Sequence, residues 1–125
     1  MKEIDNDTII SLCKKAALSP RKRSHFNLHD ALDEDLQRLL IALQPGTYIR
    51  PHKHPEVYKK ETLIILKGSC ICLTFDDKGT IQSHCTLKAQ TGSYICEIPD
   101  LHWHSLICLE ENSVVLEFKK GPFIP

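Results

Sequence analysis

The apolar residues of this chain fall into short runs separated by turn-forming residues, a pattern typical of antiparallel β-strands. Residues 61–66 form one such run and end at a Lys-Gly turn, and residues 69–75 form the next. The sequence Asp-Asp-Lys-Gly at 76–79 is rich in residues that tolerate positive φ and predicts a hairpin turn. Further strands are predicted at 80–87, 93–98, 101–109 and 113–118. Many short strands with regular turns predict an all-β barrel or sandwich.

The N-terminal segment has a different period. Asp5, Asn6 or Asp7 can cap a helix, and Ser19-Pro20 can end it. Between these positions apolar residues recur at near-helical spacing: Ile9, Ile10, Cys13, Ala16 and Ala17. We therefore predict an N-terminal helix within residues 1–20, followed by a single β-barrel domain over residues 21–125.

Two segments permit more than one interpretation. Residues 21–29 are basic and poor in apolar side chains, which is typical of a solvated linker. Alternatively, Arg21 or Arg23 reaches into a pocket and binds a carboxylate or phosphate. Residues 36–43 have apolar positions compatible with a helix, but a buried strand running into the Pro45-Gly46 turn is favoured.

Composition excludes several classes of protein. Apolar residues are 42% and charged residues 26%, as in soluble globular domains. Lys+Arg and Asp+Glu are both 16, which argues against a nucleic-acid partner. No apolar run is long enough to span a bilayer, so no membrane partner is expected, and no signal peptide is apparent. We therefore expect a cytoplasmic protein whose six cysteines are reduced, with Cys70 and Cys72 packed as small core residues.

Most of the candidate metal-binding side chains lie in residues 46–68. His52 and His54 are two apart, so their imidazoles share one face of an extended chain. Glu61 opens the next apolar run, and the segment 92–104, with His102 and His104, can supply a further ligand. Imidazole and carboxylate are the usual protein ligands of zinc, iron, manganese and nickel. The sequence therefore predicts one divalent metal ion held between neighbouring strands.

These segments resemble the two motifs of the cupin superfamily. The first motif is filled by Gly46, His52, His54, Glu61 and Gly68. It has six residues between the second histidine and the glutamate instead of three or four, which makes Glu56 a rival ligand. The resemblance implies a jelly-roll barrel.

The second motif is matched by Gly92, Pro99 and His104, with one extra residue before the proline and Leu101 in place of a second glycine. Its spacing from Pro99 makes His104, rather than His102, the matching ligand. The resemblance therefore implies a metal site made of His52, His54, Glu61 and His104.

Over nearly its whole length the chain also resembles the WbuC-type cupin-fold metalloproteins of O-antigen (lipopolysaccharide) gene clusters. The N-terminal helix, the basic segment, the core around the first two histidines and the Trp-His pair carry this likeness. It implies a metalloprotein that is often a homodimer and that acts on, or binds, a sugar or nucleotide-sugar. Three hypotheses follow: a metal-dependent isomerase, epimerase or lyase; an iron-dependent dioxygenase; and a non-catalytic carbohydrate-binding module.

Other side chains are candidates for the site. Trp103 and Tyr48 can form an apolar wall that stacks on a sugar ring, although ordinary core packing is the alternative. His102 is a candidate for proton transfer, as is Tyr48, and Arg21, Arg23 and Trp103 are candidates for substrate binding. The remaining histidines are interpreted as surface or core residues: His25, His29 and His84. A place in the pocket is the alternative for His29.

Overall fold

The computed structural model describes residues 1–56 and 58–124. Within these residues there are one helix, α1 (Asn6–Leu18), and eight strands. The strands are β1 (Arg23–Asn27), β2 (Leu36–Leu43), β3 (Glu61–Lys67), β4 (Ser69–Phe75), β5 (Ile81–Lys88), β6 (Ile95–Ile98), β7 (Trp103–Cys108) and β8 (Ser113–Lys120). The prediction of an all-β domain with a short N-terminal helix is confirmed.

The strands form two sheets that pack face to face. One sheet has five strands in the order β1-β2-β8-β3-β6, and the other has three in the order β5-β4-β7. All of these neighbouring strands pair antiparallel. Sequence neighbours often lie in different sheets, which gives the two-layer jelly-roll arrangement that the resemblance implied.

The period-2 alternation of each strand decides which side chains reach the interior. In β3, Glu61, Leu63 and Ile65 face the other sheet and are at most 4% exposed. The main core between the sheets contains Leu43, Leu63, Ile65, Cys70, Cys72, Leu87, Ile98, Leu106, Cys108 and Val115. Cys70 and Cys72 are therefore core residues, as predicted, and all six cysteines are free thiols.

The helix α1 covers the outer face of the five-stranded sheet. Asp5 caps it, because its side chain accepts a hydrogen bond of 2.9 Å from the backbone N–H of Thr8. The buried face of the helix packs on the outward-facing residues of β2 and β8. This second cluster consists of Leu12, Cys13, Ala16, Leu40, Ala42 and Val114. No described helix is long and apolar enough to cross a membrane.

The linker interpretation of residues 21–29 is wrong. Residues Arg23–Asn27 form β1 and pair with β2, with Arg23 opposite Leu43 and Asn27 opposite Leu39. This polar strand is stabilised by backbone pairing to the free edge of β2. Its side chains alone therefore do not predict a strand. The strand interpretation of Leu36–Leu43 is confirmed, because these residues alternate between the core and the helix-covered face.

The segment that carries the first two histidines is not a regular strand. Among the described residues of this segment only His52 forms a β-bridge, and its partner is His104. The turn at the end of the motif requires its glycine, because Gly68 has φ 75° and lies against Ser113. Ser113 Oγ accepts a hydrogen bond of 3.1 Å from the Ser69 backbone N–H, which fixes this turn to β8.

Candidate metal centre

Four side chains from three parts of the chain converge at one end of the sandwich. Glu61 is the first residue of β3, His104 lies on β7, and His52 and His54 come from the segment before β3. One potential ligand atom from each residue lies within 4.8 Å of the others. The structure thus brings together the four residues that the cupin resemblance implied, and Glu56 is not among them.

The backbone fixes the two central histidines against each other. The N–H of His52 donates to the carbonyl of His104 over 3.1 Å, and the N–H of His104 donates back over 2.9 Å. This pair of bonds ties the segment before β3 to the three-stranded sheet. The two imidazole centroids lie 4.2 Å apart as a result.

Backbone carbonyls also decide which ring nitrogens face the site. His52 Nδ1 lies 3.0 Å from the Arg50 carbonyl oxygen, and His104 Nδ1 lies 2.9 Å from the His102 carbonyl oxygen. A carbonyl oxygen only accepts, so each Nδ1 must carry the proton and donate it. In a neutral ring the Nε2 atom then presents its lone pair to the site, as metal-ligating histidines do.

The carboxylate of Glu61 completes the site. Its Oε1 lies 2.6 Å from His54 Nε2, and its Oε2 lies 3.1 Å from His104 Nε2. His104 Nε2 is buried and makes no aligned hydrogen bond. A carboxylate oxygen and an imidazole lone pair are both acceptors, so a proton or a cation must lie between them. Three imidazoles and one carboxylate therefore fit a divalent cation and form the donor set expected for zinc, iron, manganese or nickel.

The ionisation of these groups reflects their mutual contact. Burial alone would raise the pKa of Glu61, but the imidazoles of His104 and His54 hold that pKa far below its usual value. Burial likewise opposes charge on His104, yet the carboxylate of Glu61 raises its pKa. Burial lowers the pKa of His52, so this ring is neutral at pH 7. Protonation of His104 is therefore favoured beside the Glu61 carboxylate, and a cation at the same place would compete with that proton.

A cavity of about 500 Å³ adjoins the cluster. His52, Glu61 and His104 form part of its wall. Arg21 and Arg23, two predicted substrate-binding residues, also line it. The inward-facing residues of β1 and the following turn add His25, which the sequence interpretation had placed outside any site, and His29, for which a place in the pocket was the alternative left open.

The sequence analysis did not identify two residues of β8 that line this cavity. Glu117 lies opposite Leu63, and Lys119 lies opposite Glu61. Burial, together with the charge of Glu61, raises the pKa of Glu117 to about 8. Lys119 Nζ lies 3.9 Å from a carboxylate oxygen of Glu117. The sequence signal that could have identified Glu117 is the alternation of β8, in which this glutamate occupies an inward-facing position suited to a core residue.

Three predicted residues lie outside the cavity lining. Tyr48 is 74% exposed, so the prediction that it forms an apolar wall is wrong. Trp103 precedes His104 on β7 and therefore faces the opposite side of the sheet, where its Nε1 donates to Asp77 over 3.1 Å. His102 lies in the turn before β7, with Nδ1 2.8 Å from the Asp100 carbonyl oxygen.

A family model described as "Domain of unknown function (DUF6016)" matches residues 4–87. The chain belongs to this family. A comparison with curated proteins finds no match.

Solved structures with the same fold are numerous. KdgF from Halomonas sp. is 16% identical with a TM-score of 0.64, and the match covers 86% of this chain and 85% of KdgF. An oxalate oxidase in complex with the substrate analogue glycolate is 15% identical with a TM-score of 0.62, covering 85% of this chain and 55% of the oxidase. An RmlC-like cupin from Desulfovibrio desulfuricans is 14% identical with a TM-score of 0.56, covering 78% and 81%. The DUF6016 chain thus has the cupin jelly-roll fold.

The ligand assignment predicts that the DUF6016 protein loses metal when the cluster is disrupted. We expect His104→Ala and Glu61→Gln each to weaken zinc binding by at least about 100-fold, because each removes a buried ligand. Competition with a chromophoric chelator measures the affinity. His84→Ala is the matched control, since His84 is exposed on β5. Unchanged zinc affinity in both ligand variants would contradict the assignment.

The proton between His104 and Glu61 predicts that metal affinity depends on pH. The raised pKa of His104 means that lowering the pH fills this site with a proton, which competes with the cation. Apparent zinc affinity should therefore fall by up to about tenfold per pH unit below that pKa and level off above it. Titrations at pH 8, 7 and 6 test this, and equal affinity at all three would refute it.

Proposed function

We propose that this DUF6016 cupin binds one divalent metal ion at His52, His54, Glu61 and His104 and uses it to bind and convert an anionic sugar or nucleotide-sugar. The observation that carries the proposal is the convergence of these four ligands beside a cavity large enough for a small molecule, whose wall includes His52, Glu61 and His104. The biological setting proposed is the synthesis of bacterial surface polysaccharide, to which the WbuC-type resemblance points.

The charge of the site favours an anionic ligand. Three neutral imidazoles and one carboxylate leave a divalent cation with a net positive charge. When bound, such an ion supplies Lewis-acid polarisation of a carbonyl or hydroxyl group of the ligand. Both features select oxygen-rich, negatively charged molecules.

The basic residues of the cavity support the same ligand class. Arg21 and Arg23 line the cavity with the metal cluster. Arg23 is held by its own hydrogen bond, in which Nη1 donates to the Tyr48 carbonyl over 2.9 Å. A guanidinium fixed in this way is suited to bind a carboxylate or phosphate.

The cavity lining includes the predicted Arg21 and Arg23 but differs from the prediction at other positions. Glu117 and Lys119 line the cavity, whereas His102 and Tyr48 do not. Glu117 is 8% exposed and lies beside the ligand-bearing strand β3, so its carboxyl group can hydrogen-bond a hydroxyl group of a bound sugar. We therefore assign substrate contacts to Arg21, Arg23, Glu117 and Lys119.

Replacing the genomic copy with the His52→Ala/His104→Ala double variant tests the proposal. We expect the variant protein to lose its metal. We also expect the surface polysaccharide of the bacterium that carries the variant to lose or change one sugar component, as measured by compositional analysis. The His84→Ala strain serves as the control and should match the wild type. An unchanged polysaccharide in a strain whose variant protein is present but metal-free would refute the proposed function.

A further inference from the structure

One wall of the cavity is apolar and uncovered. Leu39 and Ile41 lie in the middle of β2 and face the other sheet, yet both retain exposed surface. Ile49, from the segment before His52, is also half-buried and lines the same cavity. Protein interiors are close-packed, so inward-facing aliphatic side chains at the centre of a sheet are normally covered by others. Here they border open space.

This apolar wall continues into the core. Leu63 and Leu106 line the cavity from β3 and β7, and they are 1% and 8% exposed. The wall thus consists of Leu39, Ile41, Ile49, Leu63 and Leu106. Tyr48 and Trp103 do not line the cavity; Phe123 does, but it is 46% exposed and is not one of these five residues, so the wall that they form is aliphatic.

The part of the cavity lining at the metal cluster is polar and charged. Arg21, Arg23 and three of the four proposed ligands, His52, Glu61 and His104, add charge and polar atoms to the same cavity of about 500 Å³. A ligand that fills such a cavity must match both environments, because an unmatched polar group or an unfilled apolar surface costs affinity.

We infer that the ligand of this site is amphipathic: its oxygen-rich anionic end faces the metal cluster and Arg23, and an aliphatic or aromatic substituent lies against the wall of Leu39 and Ile41. This inference rests on the proposed function, which places an anionic ligand at the metal. It narrows the ligand class to acidic molecules with an apolar body, such as a sugar derivative that carries an alkyl or acyl group.

Two hydroxy acids with the same metal-chelating end provide the test. Glycolate, the analogue found with the similar oxalate oxidase, has no apolar body, whereas mandelate adds a phenyl group. Burying about 55 Å² of apolar surface corresponds to about a tenfold gain in affinity. In titration calorimetry of the zinc-loaded protein, we expect mandelate to bind at least about tenfold more tightly than glycolate.

A matched pair of variants tests whether the apolar wall causes the higher affinity for mandelate. Leu39→Asn keeps the size of the side chain but makes the wall polar, so it should abolish most of the preference for mandelate while zinc and glycolate binding persist. Ile107→Asn, on the outer face of β7 where the side chain is 45% exposed, should keep the preference. Zinc binding by each variant confirms that it is folded.

The outcomes separate the two proposals. Binding of glycolate with no gain for mandelate, or a gain that survives Leu39→Asn, would overturn the amphipathic ligand and leave the proposed function intact. Failure of both acids to bind the zinc-loaded protein would overturn the anionic-ligand function itself. A mandelate preference that Leu39→Asn removes supports both.

Discussion

A buried carboxylate that must be neutralised is the constraint around which this domain is built. Glu61 is 3% exposed, and an isolated charge at such a position would cost several kcal/mol or more. Its two oxygens lie 2.6 Å and 3.1 Å from imidazole nitrogens of His54 and His104. Without metal, a proton can satisfy this contact, and a divalent cation satisfies it together with the lone pair of His52. Only the cation uses all four groups.

The fold supplies this arrangement from elements that are far apart in sequence. The five-stranded sheet contributes Glu61, the three-stranded sheet contributes His104, and the reciprocal backbone bonds of His52 and His104 join the histidine segment to the second sheet. The carbonyls that accept from Nδ1 of His52 and of His104 orient those two rings before any ligand arrives. A preorganised donor set of this kind lowers the cost of binding a cation, because little ordering remains to be done.

Residues whose role is set by local spacing were predictable from the sequence. The strand periodicity predicted most strand bounds to within a few residues. The spacing of His52, His54 and Glu61 indicated three of the four ligands, and the cupin resemblance selected His104. The edge strand β1 was not predictable, because its stability comes from pairing with β2 rather than from its own side chains. Glu117 was missed because only the register of β8 against β3 places it beside Glu61. Trp103 was predicted to face the pocket. It lies on the other side of β7 because its neighbour His104 takes the inward-facing position.

Anomalous X-ray scattering at the metal edge, from crystals of protein purified without a histidine tag, tests the central claim most directly. The account predicts a single strong peak about 2.0–2.2 Å from imidazole nitrogens of His52, His54 and His104 and from a carboxylate oxygen of Glu61. No peak at these four residues with a divalent metal in excess, or a peak held by other side chains, would contradict it.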